Sequence, residues 1–373
     1  MRSTIQAMIK PAGSLCNLRC RYCFYADEAG KREIKCHGIM TEQTLERIVS
    51  KTLAEAKERC FFLFQGGEPT LAGLDFFRKA VELGKRYRNG SCKVEYALQT
   101  NATLLDDAWC EFFAENHFLI GVSLDGTKAI HDANRIDADG NGTYERVIEG
   151  IRLLEKHRVE FNILTVLTGS CARNFRKVYQ LYQNNGWHYQ QYIPCLDPLG
   201  EERGQHPWSL TPKRYALYLR TAFDCWYRDA LSGNKKYNRY FDNLLLMLDG
   251  RYPEACGMSG YCAIQYAVEA DGSAYPCDFY MLDEYRLGNL NTDSFDSLDR
   301  RREELHFLEA GHTMHPDCAS CKWRGLCRGG CCRDRDYFER GLGKNYYCDA
   351  YREFFPYAWP RLQRLYRKLR EFG

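Results

Sequence analysis

The stretch that decides the fold is PAGSLCNLRCRYCFYADEAG, residues 11–30. It places Cys16, Cys20 and Cys23 in one loop, at spacings of four and three residues. The segment before the loop, 5–10 (IQAMIK), is typical of a β-strand. This spacing is not that of a zinc knuckle, and no fourth cysteine lies close by in the sequence. The loop therefore predicts a cubane iron–sulfur cluster with one iron left open for another molecule.

The first half of the chain alternates strand-like and helix-like segments. Apolar or alternating runs predict six strands, at 5–10, 61–65, 94–98, 119–123, 161–167 and 188–193. Helices are predicted after Thr41, a suitable N-cap, and near 144–157. Strands that alternate with helices favour a parallel sheet with right-handed crossovers. We therefore predict an α/β fold, a partial, six-stranded parallel α/β barrel, over residues 1–235, with a site at the carboxyl ends of its strands.

The second half is organised differently. A break rich in Pro, Gly and charge spans 198–211, and helical segments follow it. From Cys256 onward the chain is rich in Cys and Gly, with a strand at 263–269 and a hairpin turn at Asp271-Gly272. A helix is predicted over 349–371. Residues 236–373 are therefore expected to form a small Cys-rich domain with a β-hairpin and a C-terminal helix.

Composition limits the class of partner and the compartment. The chain has 373 residues and a net charge of +3, which predicts neither a nucleic-acid nor a membrane-surface partner. No secretory signal and no run of about 18 apolar residues is evident, so we expect a cytoplasmic protein. A monomer is the default expectation. Nineteen cysteines in a reducing compartment favour metal ligation over disulfides.

Nine of the nineteen cysteines lie between Cys256 and Cys348. Thiolates at this density select zinc or iron–sulfur clusters. A pair of structural zinc sites is the simplest interpretation of Cys318 and Cys321 alone. The three-cysteine loop near the N-terminus shifts the balance towards iron–sulfur clusters.

These motifs resemble a known family. CxxxCxxC after the first strand, with Tyr22 before the last cysteine, is similar to the signature of radical S-adenosylmethionine enzymes, and Gly66-Gly67-Glu68-Pro69 is similar to their second motif. The cysteine pattern from Cys262 to Cys348 resembles the SPASM extension. The whole chain resembles the anaerobic sulfatase-maturating enzymes, through the segments CNLRCRYCFY, FQGGEPTLAG, LQTNATLL, GVSLDG, CLDP, YPCDFY, CKWRGLC and NYYC.

The resemblance implies three [4Fe–4S] clusters and S-adenosylmethionine as cofactors. The first cluster would be held by Cys16, Cys20 and Cys23. The positions that match the family's S-adenosylmethionine contacts are Tyr22, Gly67, Ser123, Arg135 and Leu196. One auxiliary cluster would be held by Cys256, Cys262, Cys277 and Cys331, and the other by Cys318, Cys321, Cys327 and Cys348. Cys332, directly after Cys331, leaves the choice between these two open.

The resemblance also implies a reaction. Asp278, beside the ligand Cys277, matches the family's catalytic base. A 5′-deoxyadenosyl radical would remove a hydrogen atom from a cysteine or serine in a C/S-x-P-x-R sulfatase peptide, and Asp278 would take the proton. The second electron would leave through the auxiliary clusters, and the product would be Cα-formylglycine. An unfolded or nascent sulfatase chain and an external one-electron donor are the expected partners.

Alternative interpretations remain open for single residues and for the whole chain. Ser123 is also explained as an ordinary strand-end serine, Arg135 as a solvated surface arginine and Asp278 as a turn residue. A SPASM enzyme that crosslinks a ribosomally made peptide would share the fold. Only about ten residues precede the cysteine loop, which leaves no room for the N-terminal peptide-binding domain that many such enzymes carry. A zinc-stabilised scaffold without activity would not explain the three-cysteine loop.

Overall fold

The structure is a computed structural model that describes residues 2–234, 236–336 and 343–371. The chain divides into two compact units. The first comprises residues 1–124, 132–162 and 264–305, and the second comprises 125–131, 163–263 and 306–373. Both units are discontinuous in sequence. The predicted domain boundary at 235/236 remains a prediction.

Within the described residues, the first six strands have five to nine residues each, and the six that follow have two or three. The strands are β1 (Arg2–Ile9), β2 (Ala56–Phe64), β3 (Lys93–Thr100), β4 (Leu119–Ser123), β5 (Phe161–Leu167), β6 (Tyr189–Pro194), β7 (Tyr237–Asn238), β8 (Ala267–Val268), β9 (Ser273–Tyr275), β10 (Gly288–Asn289), β11 (Arg335–Asp336) and β12 (Lys344–Asn345). Strands β1 to β6 correspond to the six predicted strands. Their boundaries differ from the predicted ones by a few residues. The largest difference is at the start of β2, which begins at Ala56 and not at residue 61.

The sheets are mostly parallel and do not close into a complete barrel. In the first unit the strand order is β10-β9-β8-β1-β2-β3-β4, with β1 to β4 and β8 parallel. In the second unit β5, β6 and β7 are parallel, and β11 pairs with β12 antiparallel. The predicted α/β class with an incomplete parallel barrel is confirmed. The carboxyl ends of β1 to β4 meet at one edge of the first sheet, where the cysteine loop follows β1.

The α-helices cover the connections between strands and the end of the chain. They are α1 (Phe24–Lys31), α2 (Glu42–Glu55), α3 (Leu74–Tyr87), α4 (Asp107–Glu115), α5 (Lys128–Asp132), α6 (Tyr144–Lys156), α7 (Gly169–Arg173), α8 (Phe175–Asn184), α9 (Pro212–Leu231), α10 (Arg239–Leu248), α11 (Phe295–Glu304), α12 (Phe307–His312), α13 (Arg324–Cys327) and α14 (Cys348–Glu371). Thr41 caps α2 as predicted, because its side chain accepts a hydrogen bond from the Thr44 amide. Within the described residues, none of these helices has the length and apolar character that crossing a membrane requires.

Each unit has its own apolar core. In the first, Phe64 packs edge-on against Phe77 at 5.1 Å between ring centroids, and both rings are fully buried. In the second, α9 packs against the C-terminal helix α14 through Phe223 and Phe354, whose centroids are 5.7 Å apart. Such aromatic pairs add stability beyond the area they bury. The predicted C-terminal helix is therefore part of the second core.

The predicted hairpin forms, and it extends the first sheet. Strands β8 and β9 pair antiparallel around Gly272, whose φ of +87° suits a glycine. Strand β8 also pairs with β1, with Met8 opposite Ala267. The strand expected over 263–269 is shorter, because the Gln265 carbonyl accepts a hydrogen bond from Arg302 (2.7 Å) in place of a strand partner. The hairpin thus places Cys277 and the residue after it beside the end of β1.

Candidate active site and cluster-binding cysteines

The loop after β1 presents its three cysteines to backbone donors. The Leu18 amide donates to Cys16 Sγ at 3.4 Å. Cys23 is the N-cap of α1, and its Sγ accepts from the Ala26 amide at 3.4 Å. N–H groups directed at cysteine sulfur are typical of iron–sulfur ligands. Burial raises the pKa of the Cys16 thiol to about 11, so this thiol ionises readily only when a bound metal compensates the charge.

The glycine pair after β2 holds this loop. The Gly67 amide donates to the Gly13 carbonyl (2.9 Å), and the Glu68 amide donates to the Leu15 carbonyl (2.7 Å). A β-carbon at Gly67 would lie 1.9 Å from the Leu15 carbonyl oxygen. Gly67 is therefore required by a close approach of two backbone segments. This requirement exists independently of any ligand at Gly67.

Glu68 joins the ends of β2 and β3. Its carboxylate is 1% exposed and accepts hydrogen bonds from the Thr70 amide and hydroxyl, the Thr100 hydroxyl and the Asn101 amide. The Asn101 side chain donates to Asn17 (2.8 Å) and to Cys16 Sγ (4.0 Å). Burial raises the pKa of Glu68 despite these donors. The Glu68 side chain thus has a structural role in positioning the cysteine loop.

Of the positions matched to S-adenosylmethionine contacts, Gly67 (described above), Tyr22, Ser123 and Arg135 lie in the first unit. Arg135 is 7% exposed, so it is not a solvated surface arginine. It donates to Cys20 Sγ at 4.0 Å, and its guanidinium lies 5.5 Å from the centroid of the Tyr22 ring. Ser123 is buried at the end of β4, and its hydroxyl has no hydrogen-bond partner among the described residues. Arg135 is thus in contact with the cysteine loop through Cys20 and Tyr22.

Leu196 lies in the second unit, two residues after the end of β6. The residues on either side of it are fixed. The Cys195 carbonyl accepts from the Tyr347 hydroxyl at 3.3 Å, and the Asp197 carbonyl accepts from Arg333 at 3.0 Å. Leu196 itself is half-buried on a loop whose backbone is held at both ends.

Asp278 lies beside the ends of β1 and β2. Its Oδ1 forms an ion pair with Lys10, and its Oδ2 accepts a hydrogen bond from Gln65 Nε2 at 2.7 Å. Lys10 follows β1 and Gln65 follows β2. The side chain of Lys10 is 1% exposed, against 14% for Asp278. Asp278 is therefore a carboxylate with both oxygens engaged, and its two partners were not identified from the sequence.

In the second unit, Cys318, Cys321 and Cys348 lie close enough to Cys327 to act on the charge of its thiol. Burial raises the pKa of the Cys327 thiol to about 11, and the other three thiols add to the increase. Cys348 begins α14, and Cys327 ends α13. Half-buried, neighbouring thiols of this kind fit a metal centre bound by thiolates, whose positive charge would stabilise the ionised sulfurs.

The remaining ligand candidates divide between the units. Cys256, Cys262 and Cys331 lie in the second unit, and Cys277 lies in the first. The Cys331 β-carbon is 3.6 Å from the position that a β-carbon would take at Gly257. Burial raises the pKa of the Cys331 thiol strongly, and the nearby Cys256 adds to this increase. Cys332 instead donates to the Ala310 carbonyl at 3.7 Å. The choice between Cys331 and Cys332 as a cluster ligand remains a prediction.

Within the described residues, no three His, Cys, Asp or Glu side chains converge as they would on a single metal ion. A [4Fe–4S] cluster binds each thiolate through a different iron. Two observations fit such clusters: the amide donors on the sulfurs of Cys16 and Cys23, and the half-buried thiols grouped around Cys327.

Comparison with known proteins agrees with this geometry. Residues 11–182 match the radical SAM superfamily, and residues 258–322 match the SPASM iron-sulfur cluster-binding domain. The cysteine-type anaerobic sulfatase-maturating enzyme of Clostridium perfringens (strain ATCC 13124) is 46% identical over 359 residues, which cover 96% of this chain and 97% of the relative. The chain belongs to the anaerobic sulfatase-maturating enzyme family. As members of the radical SAM superfamily, these enzymes use iron–sulfur clusters and S-adenosylmethionine.

Sequence identity differs between cysteine-type and serine-type relatives. The cysteine-type enzyme of Clostridium novyi (strain NT) is 42% identical, covering 94% of each chain. The serine-type enzyme of Bacteroides thetaiotaomicron is 30% identical, covering 98% of this chain and 92% of the relative. This sulfatase-maturating enzyme is thus more similar to these cysteine-type relatives than to that serine-type one.

A solved structure agrees with the family assignment. The structure described as native anSMEcpe with bound AdoMet and Cp18Cys peptide matches with a TM-score of 0.94 at 45% identity, over 98% of this chain and 99% of that one. Streptococcus suis SuiB bound to precursor peptide SuiA matches with a TM-score of 0.64 at 14% identity, over 92% of this chain and 75% of that one. The second likeness concerns the fold alone.

Proposed function

We propose that this enzyme oxidises the cysteine of a C-x-P-x-R motif in a sulfatase peptide to Cα-formylglycine. The observation that carries the proposal is its identity of 42–46% to cysteine-type enzymes over at least 94% of the chain, against 30% to serine-type enzymes. The solved relative with bound AdoMet and a peptide supports an extended peptide as substrate. The substrate is an unfolded or nascent sulfatase chain.

Three [4Fe–4S] clusters serve the reaction. Cys16, Cys20 and Cys23 would hold the first, and this cluster would bind S-adenosylmethionine. The auxiliary clusters are held by Cys256, Cys262, Cys277 and Cys331, and by Cys318, Cys321, Cys327 and Cys348. When bound, these groups supply a 5′-deoxyadenosyl radical and an acceptor for one electron.

The chain's own residues position S-adenosylmethionine. Arg135 pairs with the carboxylate of S-adenosylmethionine. The planar guanidinium is buried, and it can donate two parallel hydrogen bonds to the two carboxylate oxygens. Ser123, whose hydroxyl is free to bond, binds the ribose. Gly67 contributes backbone polar groups, Tyr22 packs beside Arg135, and Leu196 contacts the ligand from its fixed loop.

Asp278 is the base. The substrate cysteine loses a hydrogen atom from its β-carbon, a proton from its thiol and one electron. Asp278 accepts the proton, and Lys10 and Gln65 hold the carboxylate that does so. The resulting thioaldehyde takes up water and releases hydrogen sulfide, which leaves the aldehyde. An external one-electron donor starts each turnover.

The test uses two peptides and two variants. Anaerobically reconstituted enzyme is incubated with S-adenosylmethionine, reductant and either a C-x-P-x-R or an S-x-P-x-R peptide. We expect formylglycine from the cysteine peptide at the higher rate. Asp278→Asn should abolish the aldehyde, whereas Asp75→Asn, at a side chain 93% exposed, should leave it unchanged. A crosslinked peptide in place of an aldehyde would favour the alternative SPASM reaction and contradict the proposal.

A further inference from the structure

We propose that Lys10 is a positioning residue for Asp278, and that its buried ammonium keeps the carboxylate in place for the proton transfer that follows hydrogen abstraction. The inference rests on the proposed function, because it assigns a partner to the base of that reaction. Nothing in the sequence pattern singles out Lys10. The contacts of its side chain carry the argument.

Lys10 is fixed at its backbone. It is the first residue after β1, and its amide donates to the Val268 carbonyl of β8 at 2.9 Å. The same hairpin leads through β9 to Asp278. Lys10 is therefore bonded to β8, and Asp278 comes three residues after β9, the antiparallel partner of β8. Both residues of the ion pair are thus anchored to the same hairpin.

The Lys10 ammonium also contacts an aromatic ring. Lys10 Nζ lies 4.2 Å from the centroid of the Tyr25 ring, a cation–π contact. The Tyr25 hydroxyl donates to Glu269 Oε2 at 2.5 Å, and Arg32 donates to the same oxygen at 2.5 Å. Since Tyr25 and Glu269 are almost fully buried, the ring cannot turn away without breaking this network. The network thus sets the position of the ammonium.

Gln65 completes the positioning of the carboxylate. Its amide nitrogen donates to Asp278 Oδ2 and to Met8 Sδ (2.8 Å). Gln65 is neutral, so Lys10 alone compensates the charge of the carboxylate within this set of contacts. A buried ion pair contributes little net stability compared with apolar residues of similar size. A role in orienting Asp278 explains the pair better than stability does.

This role predicts which step fails without Lys10. Formation of the 5′-deoxyadenosyl radical needs the cysteine loop and S-adenosylmethionine, and it should survive in Lys10→Met. Proton removal from the substrate radical needs Asp278 in place, and a misplaced group costs about 100-fold in rate. The substrate radical should then persist. It either takes a hydrogen atom back from 5′-deoxyadenosine, which re-forms the 5′-deoxyadenosyl radical, or it gains one electron from the external reductant and a proton from water, which leaves 5′-deoxyadenosine without formylglycine.

The experiment measures coupling with a peptide whose cysteine β-carbon carries two deuterium atoms. Reconstituted wild type, Lys10→Met, Lys10→Arg and the control Lys51→Met are compared for formylglycine formed per 5′-deoxyadenosine and for protium gained by recovered peptide. Lys51 is a matched control, because it is a partly buried lysine of the same unit that donates to a backbone carbonyl. Iron content and S-adenosylmethionine affinity are measured in parallel.

We expect Lys10→Met to keep its iron, to lower the coupling ratio by about 10- to 100-fold and to increase protium return. Lys10→Arg should recover part of the ratio, and Lys51→Met should match wild type. Unchanged coupling and unchanged protium return in Lys10→Met would overturn the proposal. If Lys10→Met fails to incorporate iron, Lys10→Gln is judged by the same two readouts. Absence of formylglycine in wild type would overturn the proposed function itself, and this outcome is distinct from a coupling change confined to the variants.

Discussion

A β-carbon at Gly67 would lie 1.9 Å from the carbonyl oxygen of Leu15, so the glycine after β2 and the residue before Cys16 fit together only as backbone against backbone. Gly67→Ala must displace the cysteine loop. We expect the variant to lose the first cluster, about four iron atoms per chain, and all 5′-deoxyadenosine formation. Gly30→Ala is the control, because nothing lies within 4 Å of its β-carbon position. Full iron content in Gly67→Ala would show that the loop tolerates the shift.

The adjacent pair Cys331 and Cys332 provides a matched test of ligand identity. Cys331 lies by the Cys256 loop, whereas Cys332 donates to the Ala310 carbonyl. Cys331→Ser should therefore lower the iron content by about one cluster, while Cys332→Ser keeps it. Iron analysis and the absorption of the bound clusters distinguish the two variants. The opposite result would exchange the roles of the two cysteines.

Arg135 is predicted to bind the carboxylate of S-adenosylmethionine. A charge-assisted hydrogen bond contributes about 1.5–3 kcal/mol, so Arg135→Gln should weaken binding by roughly 10- to 100-fold. Equilibrium binding of S-adenosylmethionine to the reconstituted enzyme measures this change. Arg146→Gln is the control, at an arginine 44% exposed and paired with Asp137. Equal affinities in the two variants would remove Arg135 from the binding site.

Asp299 gives a pH-dependent prediction for the stability of the first unit. Burial alone would raise its pKa, but the Tyr266 hydroxyl and the charges of Arg302 and Arg2 outweigh burial and lower it. A carboxyl with a lowered folded pKa stabilises the protein above its unfolded pKa, and this contribution is lost as the pH falls. Asp299→Asn should cost about 1 kcal/mol near pH 7, allowing for solvent screening, and less below about pH 4.

Urea unfolding under anaerobic conditions at both pH values measures the effect of Asp299→Asn against wild type. Asp296→Asn is the matched control on the same helix, since Asp296 is 77% exposed and lies 3.7 Å from Arg2. A loss of stability in Asp299→Asn that is the same at both pH values would contradict the assigned charge interactions.

Local patterns in the sequence predicted much of the fold. The Thr41 cap, the apolar face of α2 and the six strands depend on residues close in sequence, and they are present in the structure. The three-cysteine loop was predicted because its spacing alone is informative. The strand at 263–269 was predicted too long, because a side chain distant in sequence, Arg302, binds the Gln265 carbonyl.

The surroundings of Asp278 could not be predicted in the same way. Lys10 and Gln65 reach it across 268 and 213 residues of sequence, and no local pattern records such pairs. The usable signal was their position directly after β1 and β2, where sites of α/β proteins gather. The surroundings of Arg135 could not be predicted from local patterns either. Only the structure distinguishes a buried arginine beside Cys20 from a surface arginine.

The central claim is that this enzyme converts cysteine to formylglycine in a peptide. The most direct test is the mass of a C-x-P-x-R peptide after anaerobic incubation with reconstituted enzyme, S-adenosylmethionine and reductant, with 5′-deoxyadenosine measured in the same sample. The account predicts an aldehyde-bearing peptide that a hydrazide traps, formed in step with 5′-deoxyadenosine and absent when Asp278 is changed to Asn. An unmodified peptide beside abundant 5′-deoxyadenosine, from iron-replete wild type, would contradict it.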